Sequence, residues 1–235
     1  MIIAIDGPGG AGKSTVAKIL AESLGMTYID TGAMYRAVAL DIIRRGIRTG
    51  DESAVITELA NICVSIRHDG TTGEQSVFLN GEDVTSQIRT PVISVGASDV
   101  SRIPEVRIRM VELQRGIAEE RSVIMDGRDI GTYVFPDADK KYYLTASAGE
   151  RARRRYLELR SRGDCVTYDE CLSGLRYRDE NDSTRSFAPL AVARDAVYME
   201  SDGMTAKEVA ELMKSDILRQ TLLSCRTESR GGHVL

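Results

Sequence analysis

The sequence predicts an α/β fold in which helices flank a five-stranded parallel sheet, with a small antiparallel β insertion and an arginine-rich helical segment. Three observations lead to this prediction. Short apolar runs alternate with amphipathic segments along most of the chain, and strands separated by helices normally pair in parallel. A glycine-rich loop at residues 7–12 joins the first apolar run to the first amphipathic segment. Residues 63–84 instead alternate apolar and polar side chains around Asn80-Gly81, a dipeptide typical of a tight hairpin.

The parallel strands are predicted where short apolar runs are bounded by turn-forming or acidic residues. They are residues 2–5, 27–30, 122–126, 140–144 and 196–199. Helices are predicted where apolar residues recur at helical spacing, at residues 13–24, 32–45, 88–101, 104–120, 148–162, 168–180 and from 205 onward. Gly25 and Gly46 are typical helix ends, and Thr205 to Glu208 form a capping box that opens the last helix.

These elements divide the chain into a core and two insertions. The core is predicted to comprise residues 1–62, 111–147 and 181–223. The β-rich insertion is residues 63–90, with adjoining helices to about residue 110, and the arginine-rich segment is residues 148–180. Both are candidates for parts that move during function. Residues 224–235 are predicted to form a polar, loosely ordered tail.

Composition narrows the class of protein. The chain has 235 residues, of which 42% are hydrophobic, and a net charge of −4, so we expect a globular protein without a general nucleic-acid-binding face. It has no apolar run long enough to span a bilayer and no export signal, which predicts a cytoplasmic location without a membrane partner. Arginine accounts for 25 of the 31 basic residues, which favours local anion-binding pockets.

Histidine and cysteine argue against two kinds of site. Only His68 and His233 occur, which disfavours a hydrolytic triad. The four cysteines lack C-x-x-C spacing and companion histidines, so neither a structural zinc site nor a redox pair is expected.

The glycine-rich loop carries a phosphate-binding pattern. Gly7, Gly12, Lys13 and Ser14 complete G-x-x-x-x-G-K-[ST], in which backbone N–H groups at a helix N-terminus face phosphate oxygens. Lys13 would reach the β- and γ-phosphates of a nucleoside triphosphate, and the Ser14 hydroxyl would ligate Mg²⁺ directly.

The same glycines satisfy a second pattern. Gly7, Gly9 and Gly12 also fit G-x-G-x-x-G, and Asp30 lies where a dinucleotide-binding site has its acid. Lys13 followed by Ser14 favours the phosphate loop, because the pyrophosphate of a dinucleotide is held by backbone amides without a lysine.

Acidic residues and arginines follow the next two apolar strands. Residues 30–36 read DTGAMYR and residues 126–129 read DGRD. Ligands of open α/β sheets lie beyond the carboxyl ends of the strands, so we expect Lys13, Arg36 and Arg128 to converge around phosphates in one cleft.

Two acids have alternative roles. Asp126 is placed to hold Mg²⁺ through a water molecule, or to cap the turn that follows its strand, and the sequence leaves both open. Asp6 could share the role in the metal shell or brace the loop.

The arginine-rich helices also have two interpretations. A solvated face of salt bridges with neighbouring acids is the simpler one for any single arginine. A phosphoryl-transfer site, however, needs positive charge on a closing segment, so we expect Arg151 or Arg155, together with Arg178 and Arg185, to be functional.

Taken together, these motifs strongly resemble those of the bacterial cytidylate kinases, within the nucleoside monophosphate kinase family. The resemblance is carried by residues 6–14 (DGPGGAGKS), 30–36 (DTGAMYR), 126–132 (DGRDIGT), 134–138 (VFPDA), the pattern R-D-x-x-D-x-x-R at 178–185 and 188–190 (APL). It implies a P-loop nucleoside monophosphate kinase fold. On this resemblance the β insertion lies on the acceptor side and the arginine-rich segment forms a helical lid.

The resemblance also implies a reaction and its residues. ATP and CMP or dCMP would give ADP and CDP or dCDP, with Mg²⁺. We expect ATP to bind Gly7, Pro8, Gly9, Gly10, Ala11, Gly12, Lys13, Ser14, Thr15 and Arg155. The catalytic residues would be Lys13, Arg128, Arg178 and Asp129.

The acceptor would bind residues spread along the chain. By resemblance Ser98, Arg107 and Asp129 read the cytosine. Arg36, Arg128 and Arg178 clamp its phosphate, with Thr31 and Tyr35 beside it, and Asp182 and Arg185 read the pentose. By helical pattern alone, Ser98 and Arg107 are predicted to be exposed.

The sequence leaves three alternative functions open. They are a kinase for another small acceptor such as UMP, an ATP-dependent switch or binding protein without an acceptor, and a dinucleotide oxidoreductase. We predict a monomer.

Overall fold

The computed structural model describes residues 1–69, 73–119 and 121–228, with the backbone alone for 221–228. The main sheet has five strands: β1 (Ile2–Asp6), β2 (Thr27–Asp30), β6 (Val123–Gly127), β7 (Lys140–Thr145) and β8 (Val197–Glu200). The small sheet has three: β3 (Val64–His68), β4 (Gln75–Leu79) and β5 (Glu82–Asp83).

Helices cover most of the remaining described chain. They are α1 (Lys13–Leu24), α2 (Thr31–Arg44), α3 (Glu52–Leu59), α4 (Pro91–Val100), α5 (Pro104–Ala118), α6 (Ala148–Ser161), α7 (Tyr168–Thr184) and α8 (Ala206–Glu228). In the part of the chain that the structure describes, no helix is both long enough and apolar enough to cross a bilayer.

The strand order β2-β6-β1-β7-β8 sets the position of the site. All four pairings in this sheet are parallel, which confirms the predicted five-stranded parallel sheet. Asp126 near the end of β6 lies opposite both Ile5 of β1 and Asp30 of β2. The loop after β1 and the acids that follow β2 and β6 therefore meet at one edge of the sheet.

Apolar side chains cover both faces of this sheet. One cluster contains buried residues of α2, α4 and α5, including Met34 and Met110. The other contains residues of α1 and α8, including Leu20 and Met213. Burying a side chain of this size contributes about 1.5–3 kcal/mol, so the two layers hold the strand ends rigidly for the loops they carry.

The antiparallel insertion is confirmed, in the order β3-β4-β5. Asn80 and Gly81 both adopt positive φ, 50° and 88°, which the hairpin between β4 and β5 requires. The insertion docks on the edge strand β2 through side chains. Gln75 accepts a hydrogen bond from Asp30 N at 2.8 Å and donates to Asp30 O at 3.2 Å, and His68 Nε2 lies 3.0 Å from Tyr28 O.

The structure differs from the sequence prediction at several element boundaries. Helix α3 was not predicted, and the helix predicted at 88–101 is divided into a 3₁₀ turn at Gln87–Arg89 and α4. Pro91 causes this division, because it lacks an N–H and starts α4 after the cap at Thr90. Helix α8 continues to Glu228, beyond residue 224 where the polar tail was predicted to begin, and residues 229–235 lie outside the described residues.

Candidate active site

The loop between β1 and α1 depends on glycine at three positions. Gly7, Gly10 and Gly12 have φ values of 145°, 76° and 88°, a region that favours glycine. A Cβ at Gly7 would lie 2.0 Å from Leu144 O, so even alanine would displace the loop from β7. These constraints bring backbone N–H groups to the N-terminus of α1, where anions bind.

Lys13 lies across this loop. Its ammonium donates to Pro8 O at 2.8 Å, and its side chain is buried. Burial, with the nearby charge of Arg128, lowers the pKa of Lys13 to about 7. Phosphate oxygens would supply the negative charge that this buried cation lacks.

The Ser14 hydroxyl faces the acid at the end of β6. Ser14 Oγ and Tyr28 OH donate to the two carboxylate oxygens of Asp126, each at 2.8 Å, and Thr31 Oγ1 donates to its carbonyl at 2.7 Å. Burial and the neighbouring Asp30 carboxylate raise the pKa of Asp126. A hydroxyl backed by a carboxylate offers the hard oxygen donors that suit Mg²⁺.

By these hydrogen bonds, Asp126 is the acid that contacts Ser14. Within the described ranges, no group of three or more His, Cys, Asp or Glu side chains could hold a metal ion by itself. Mg²⁺ commonly takes one or two protein ligands together with substrate phosphates and water. The residues present therefore fit an ion that arrives with a nucleotide.

Asp6 braces a turn. Its carboxylate oxygens accept hydrogen bonds from Ile130 N at 2.8 Å and Gly131 N at 2.7 Å, the start of a π-helical turn at Ile130–Val134. Burial raises the pKa of Asp6 to about 6. The sequence left open a role in the metal shell and a role in bracing the glycine-rich loop. These contacts support a bracing role, but the segment that Asp6 braces is the turn after β6.

Arginines line the cleft opposite the glycine loop. Arg36 pairs with Asp30 at 2.7 Å, with Arg89 3.6 Å from the same carboxylate, and Arg128 pairs with Asp182 at 2.7 Å. These arginines hold the pKa of Asp30 and of Asp182 below its usual value although burial opposes the shift.

Arg178 lies between the two sides of the cleft. A Cβ built at Gly9 would lie 3.5 Å from its Cζ. Burial and the charge of Arg128 lower the pKa of Arg178 to about 10, and its buried Nε has no hydrogen-bond partner among the described residues. This guanidinium is thus placed to bind an anion against the loop.

A buried polar group closes the far end of the cleft. Arg107 forms an ion pair with Asp129, and Arg185 lies 3.4 Å from the other oxygen of that carboxylate. Arg107 is 1% exposed and Ser98 5% exposed, so the prediction from helical pattern that they face solvent was wrong. Tyr35 packs under the Arg107 guanidinium, 5.4 Å from ring centroid to Cζ.

One cavity of about 880 Å³ brings nearly all the predicted site residues together. The predicted residues that line it are Gly9, Gly10, Ala11, Gly12, Lys13, Ser14, Thr15, Thr31, Tyr35, Arg36, Ser98, Arg107, Asp126, Arg128, Asp129, Arg155, Arg178, Asp182 and Arg185. Gly7 and Pro8 are not in its wall. They shape the loop from behind, through the close approach of Gly7 to β7 and the bond from Lys13 to Pro8.

A family model described as "Cytidylate kinase" matches residues 3–219. The chain belongs to the cytidylate kinase family. It is 50% identical over 209 residues to the cytidylate kinase of Caldicellulosiruptor saccharolyticus, covering 89% of this chain and 92% of that protein. It is 49% identical over 216 residues to the cytidylate kinase of Geobacter sulfurreducens, covering 92% and 91%.

A solved structure supports the fold. A gluconokinase from Sinorhizobium meliloti 1021 aligns over 98% of this chain and 97% of that chain, with a TM-score of 0.50 at 12% identity, which is a likeness of fold alone. Membership of the cytidylate kinase family makes the protein a kinase, and it leaves the dinucleotide alternative without support.

The lid arginines of this cytidylate kinase family member separate into different environments. Arg151 is buried and donates to Gly9 O at 2.9 Å while pairing with Asp179 at 2.8 Å, so it ties the glycine loop to α7. Arg155 lines the cavity and pairs with Glu158 at 2.9 Å. Arg153 pairs with Glu150 on the surface, as the salt-bridged interpretation expects.

Three further arginines that line the cavity, Arg89, Arg154 and Arg162, were missed by the sequence analysis. Arg89 lines the cavity from the end of the insertion. Arg154 also lines it, donating to Ser201 O at 2.6 Å and to Ala11 O at 3.3 Å. None of the three belongs to a motif, and none has a local pattern that distinguishes it from a surface arginine. Only the tertiary structure identifies them.

Proposed function

We propose that the protein transfers the γ-phosphoryl group of Mg-ATP to CMP and dCMP, giving ADP with CDP and dCDP. One observation carries the proposal: the glycine loop and the group Arg36, Arg128 and Arg178 line the same cavity. A site that binds only one nucleotide would not need these arginines in addition to the loop. Transfer between two phosphorylated substrates needs them, because negative charge has to be neutralised on both substrates.

The donor would bind the glycine loop. In this proposal the backbone from Gly7 to Thr15 cradles the phosphates of ATP, Lys13 contacts the β- and γ-phosphates, and Arg155 closes over them from the lid. Ser14 would ligate Mg²⁺ directly and Asp126 through water. When bound, the ion would neutralise charge on the phosphates and fix their orientation.

The acceptor would bind the opposite wall. Arg36, Arg128 and Arg178 would clamp its phosphate beside Thr31 and Tyr35. The acceptor phosphate would meet guanidinium groups that are already in position, because Arg36 and Arg128 are held by Asp30 and Asp182. A phosphate would take up donor positions on these guanidinium groups that the carboxylates leave free.

The base and sugar would lie deeper in the cavity. The buried group of Ser98, Arg107 and Asp129 would read the cytosine, and Asp182 and Arg185 the pentose. Because these side chains are buried, and Asp129 is paired with Arg107 and Arg185, a base that fails to match them leaves polar groups without partners.

The chemistry requires positioning more than proton transfer. An ionised phosphate oxygen of CMP is already a nucleophile, so alignment and charge neutralisation suffice. Lys13, Arg128 and Arg178 would stabilise charge during transfer, and Asp129 would act by holding the acceptor. We further propose that the protein acts as a cytoplasmic monomer, with no nucleic-acid or membrane partner.

The test is ADP formation from ATP and Mg²⁺ against a panel of nucleoside monophosphates. We expect turnover with CMP and dCMP that exceeds turnover with UMP, AMP and GMP. Equal rates with UMP and CMP would instead support a kinase of broader pyrimidine specificity. Slow ADP release that no acceptor accelerates would support the switch or binding protein.

A further inference from the structure

Asp99 joins three segments of the chain. Its Oδ2 accepts a hydrogen bond from Thr49 Oγ1 at 2.6 Å, and its Oδ1 accepts one from the Tyr177 hydroxyl at 2.7 Å. Thr49 lies between α2 and α3, and Tyr177 lies on α7. This carboxylate therefore fixes α7 against α4, the helix that carries Ser98.

One turn further along α7, Asn181 reaches Ser98 itself. Asn181 is 5% exposed, and its Nδ2 lies 3.4 Å from Ser98 Oγ and 3.5 Å from Asp99 Oδ1. Its Oδ1 accepts from Arg102 at 3.4 Å. A carboxylate only accepts hydrogen bonds and a guanidinium only donates them, so these partners orient the amide with its NH₂ group toward Ser98.

This contact determines what Ser98 offers to a ligand. A serine hydroxyl has one proton to donate. Because the amide of Asn181 donates to Ser98 Oγ, the proton of Ser98 points elsewhere. No hydrogen bond from Ser98 Oγ to an acceptor occurs within the ranges that the structure describes, and the residue lines the cavity.

We infer that Asn181 is a specificity-determining positioning residue, which directs the Ser98 proton into the cavity and so selects an acceptor base with a hydrogen-bond acceptor at that edge. The inference rests on the proposed function. Asn181 does not line the cavity and acts through Ser98.

The chemistry of the two pyrimidines explains the selectivity. Cytosine presents O2 and N3 as neighbouring acceptors, whereas N3 of uracil carries a proton. Arg107 is a donor only, and a donating Ser98 beside it makes a pair of donors that matches cytosine. Uracil would place its N3–H against a donor, and a buried mismatch of this kind is strongly disfavoured.

The test removes the amide while keeping its volume. In Asn181→Leu the Ser98 hydroxyl is free to rotate, so it can accept from uracil as well as donate to cytosine. We expect kcat/KM for CMP to fall about tenfold, because the Ser98 proton is no longer held toward the base and its hydrogen bond to cytosine is weakened. The value for UMP should fall less, so that the CMP-to-UMP ratio narrows, while KM for ATP is unchanged.

The double variant separates this role from a merely structural one. In a Ser98→Ala background, Asn181→Leu should change the CMP-to-UMP ratio less than about twofold, because coupled residues are non-additive. Ser183→Ala is the matched control on α7, since among the described residues the exposed Ser183 hydroxyl bonds only to Asp179 O and Glu180 O of its own helix. Asn181→Ala serves if the leucine variant does not fold.

If the wild-type protein turns over CMP, two results would overturn the inference. One is an equal loss of kcat/KM for CMP and UMP in Asn181→Leu, and the other is losses that add in the double variant. A wild-type protein that phosphorylates no CMP would overturn the proposed function, and this inference with it. The two failures are therefore distinguishable.

Discussion

The two walls of the cavity are built in different ways. The donor wall is a run of consecutive residues, Gly9 to Thr15, whose proposed contacts with phosphate come mainly from the backbone and from Lys13. The acceptor wall is assembled from side chains of α2, α4, α5, α7 and the turn after β6, which lie between residues 31 and 185. The donor wall is fixed by local conformation, and the acceptor wall by ion pairs across the fold.

This difference predicts different consequences of mutation. Changes in the donor wall should reduce the rate while leaving the fold intact, because the loop lies on the end of a buried strand that holds it. Changes in the acceptor wall should reduce stability and acceptor recognition together, because most of its arginines are also partners of buried carboxylates, namely Arg36, Arg107, Arg128 and Arg185.

The largest effect is expected at Lys13. We expect Lys13→Ala to lower kcat by about 10³-fold with a much smaller change in KM, because the contact strengthens as charge moves onto the leaving ADP. Steady-state kinetics with CMP and thermal unfolding check this. Lys207→Ala, an exposed lysine at the start of α8, is the control. Undiminished turnover of Lys13→Ala would contradict the assignment of the donor wall.

The next effect is expected at Arg107. Arg107→Ala leaves the Asp129 carboxylate buried with Arg185 as its remaining ion-pair partner among the described residues, and breaking a buried pair in this way costs about 3 kcal/mol. We expect the free energy of unfolding to fall by that amount, and kcat/KM for CMP to fall by the equivalent of about 1–3 kcal/mol. Denaturant unfolding and kinetics at reduced temperature measure both.

Arg48→Ala is the matched control, because the side chain of Arg48 is 90% exposed. If Arg107→Ala were as stable as Arg48→Ala and equally efficient on CMP, the acceptor wall would not depend on the buried pair.

The two walls also differ in how much of their structure could be predicted from the sequence. The donor loop could be predicted in full because glycine, lysine and serine act there at fixed local spacing, and the parallel sheet because its strands are apolar and short. Arg107 was predicted to be exposed, since its burial depends on Asp129, 22 positions away and on another element. The proposal that Arg107 reads the base came only from the family resemblance.

Other features had weaker local signals. Helix α3 has only Val55 and Leu59 buried, too short an apolar pattern to stand out, although Asp51 caps it. Asn181 resembles any polar residue on a charged helix, and its neighbour Ser98 lies 83 positions away. Contacts of this kind depend on the packing of α7 against α4 and have no periodic pattern in the sequence.

The smallest effect is expected where the insertion docks on the main sheet. Gln75→Ala removes two hydrogen bonds to the backbone of Asp30, and we expect the free energy of unfolding to fall by about 1 kcal/mol. KM for CMP should rise a few-fold while KM for ATP stays constant, because Asp30 holds Arg36 on the acceptor wall only. Equal rises in both KM values would contradict the separation of the two walls.

The most direct measurement follows the phosphoryl group itself. The protein is incubated with Mg²⁺, CMP and ATP labelled in the γ-phosphate, and the products are separated by chromatography. We expect the label to appear in CDP, one for each ADP formed, and Lys13→Ala to slow the transfer by about 10³-fold. Label released as inorganic phosphate at the same rate with and without CMP would contradict a cavity with a donor wall and an acceptor wall.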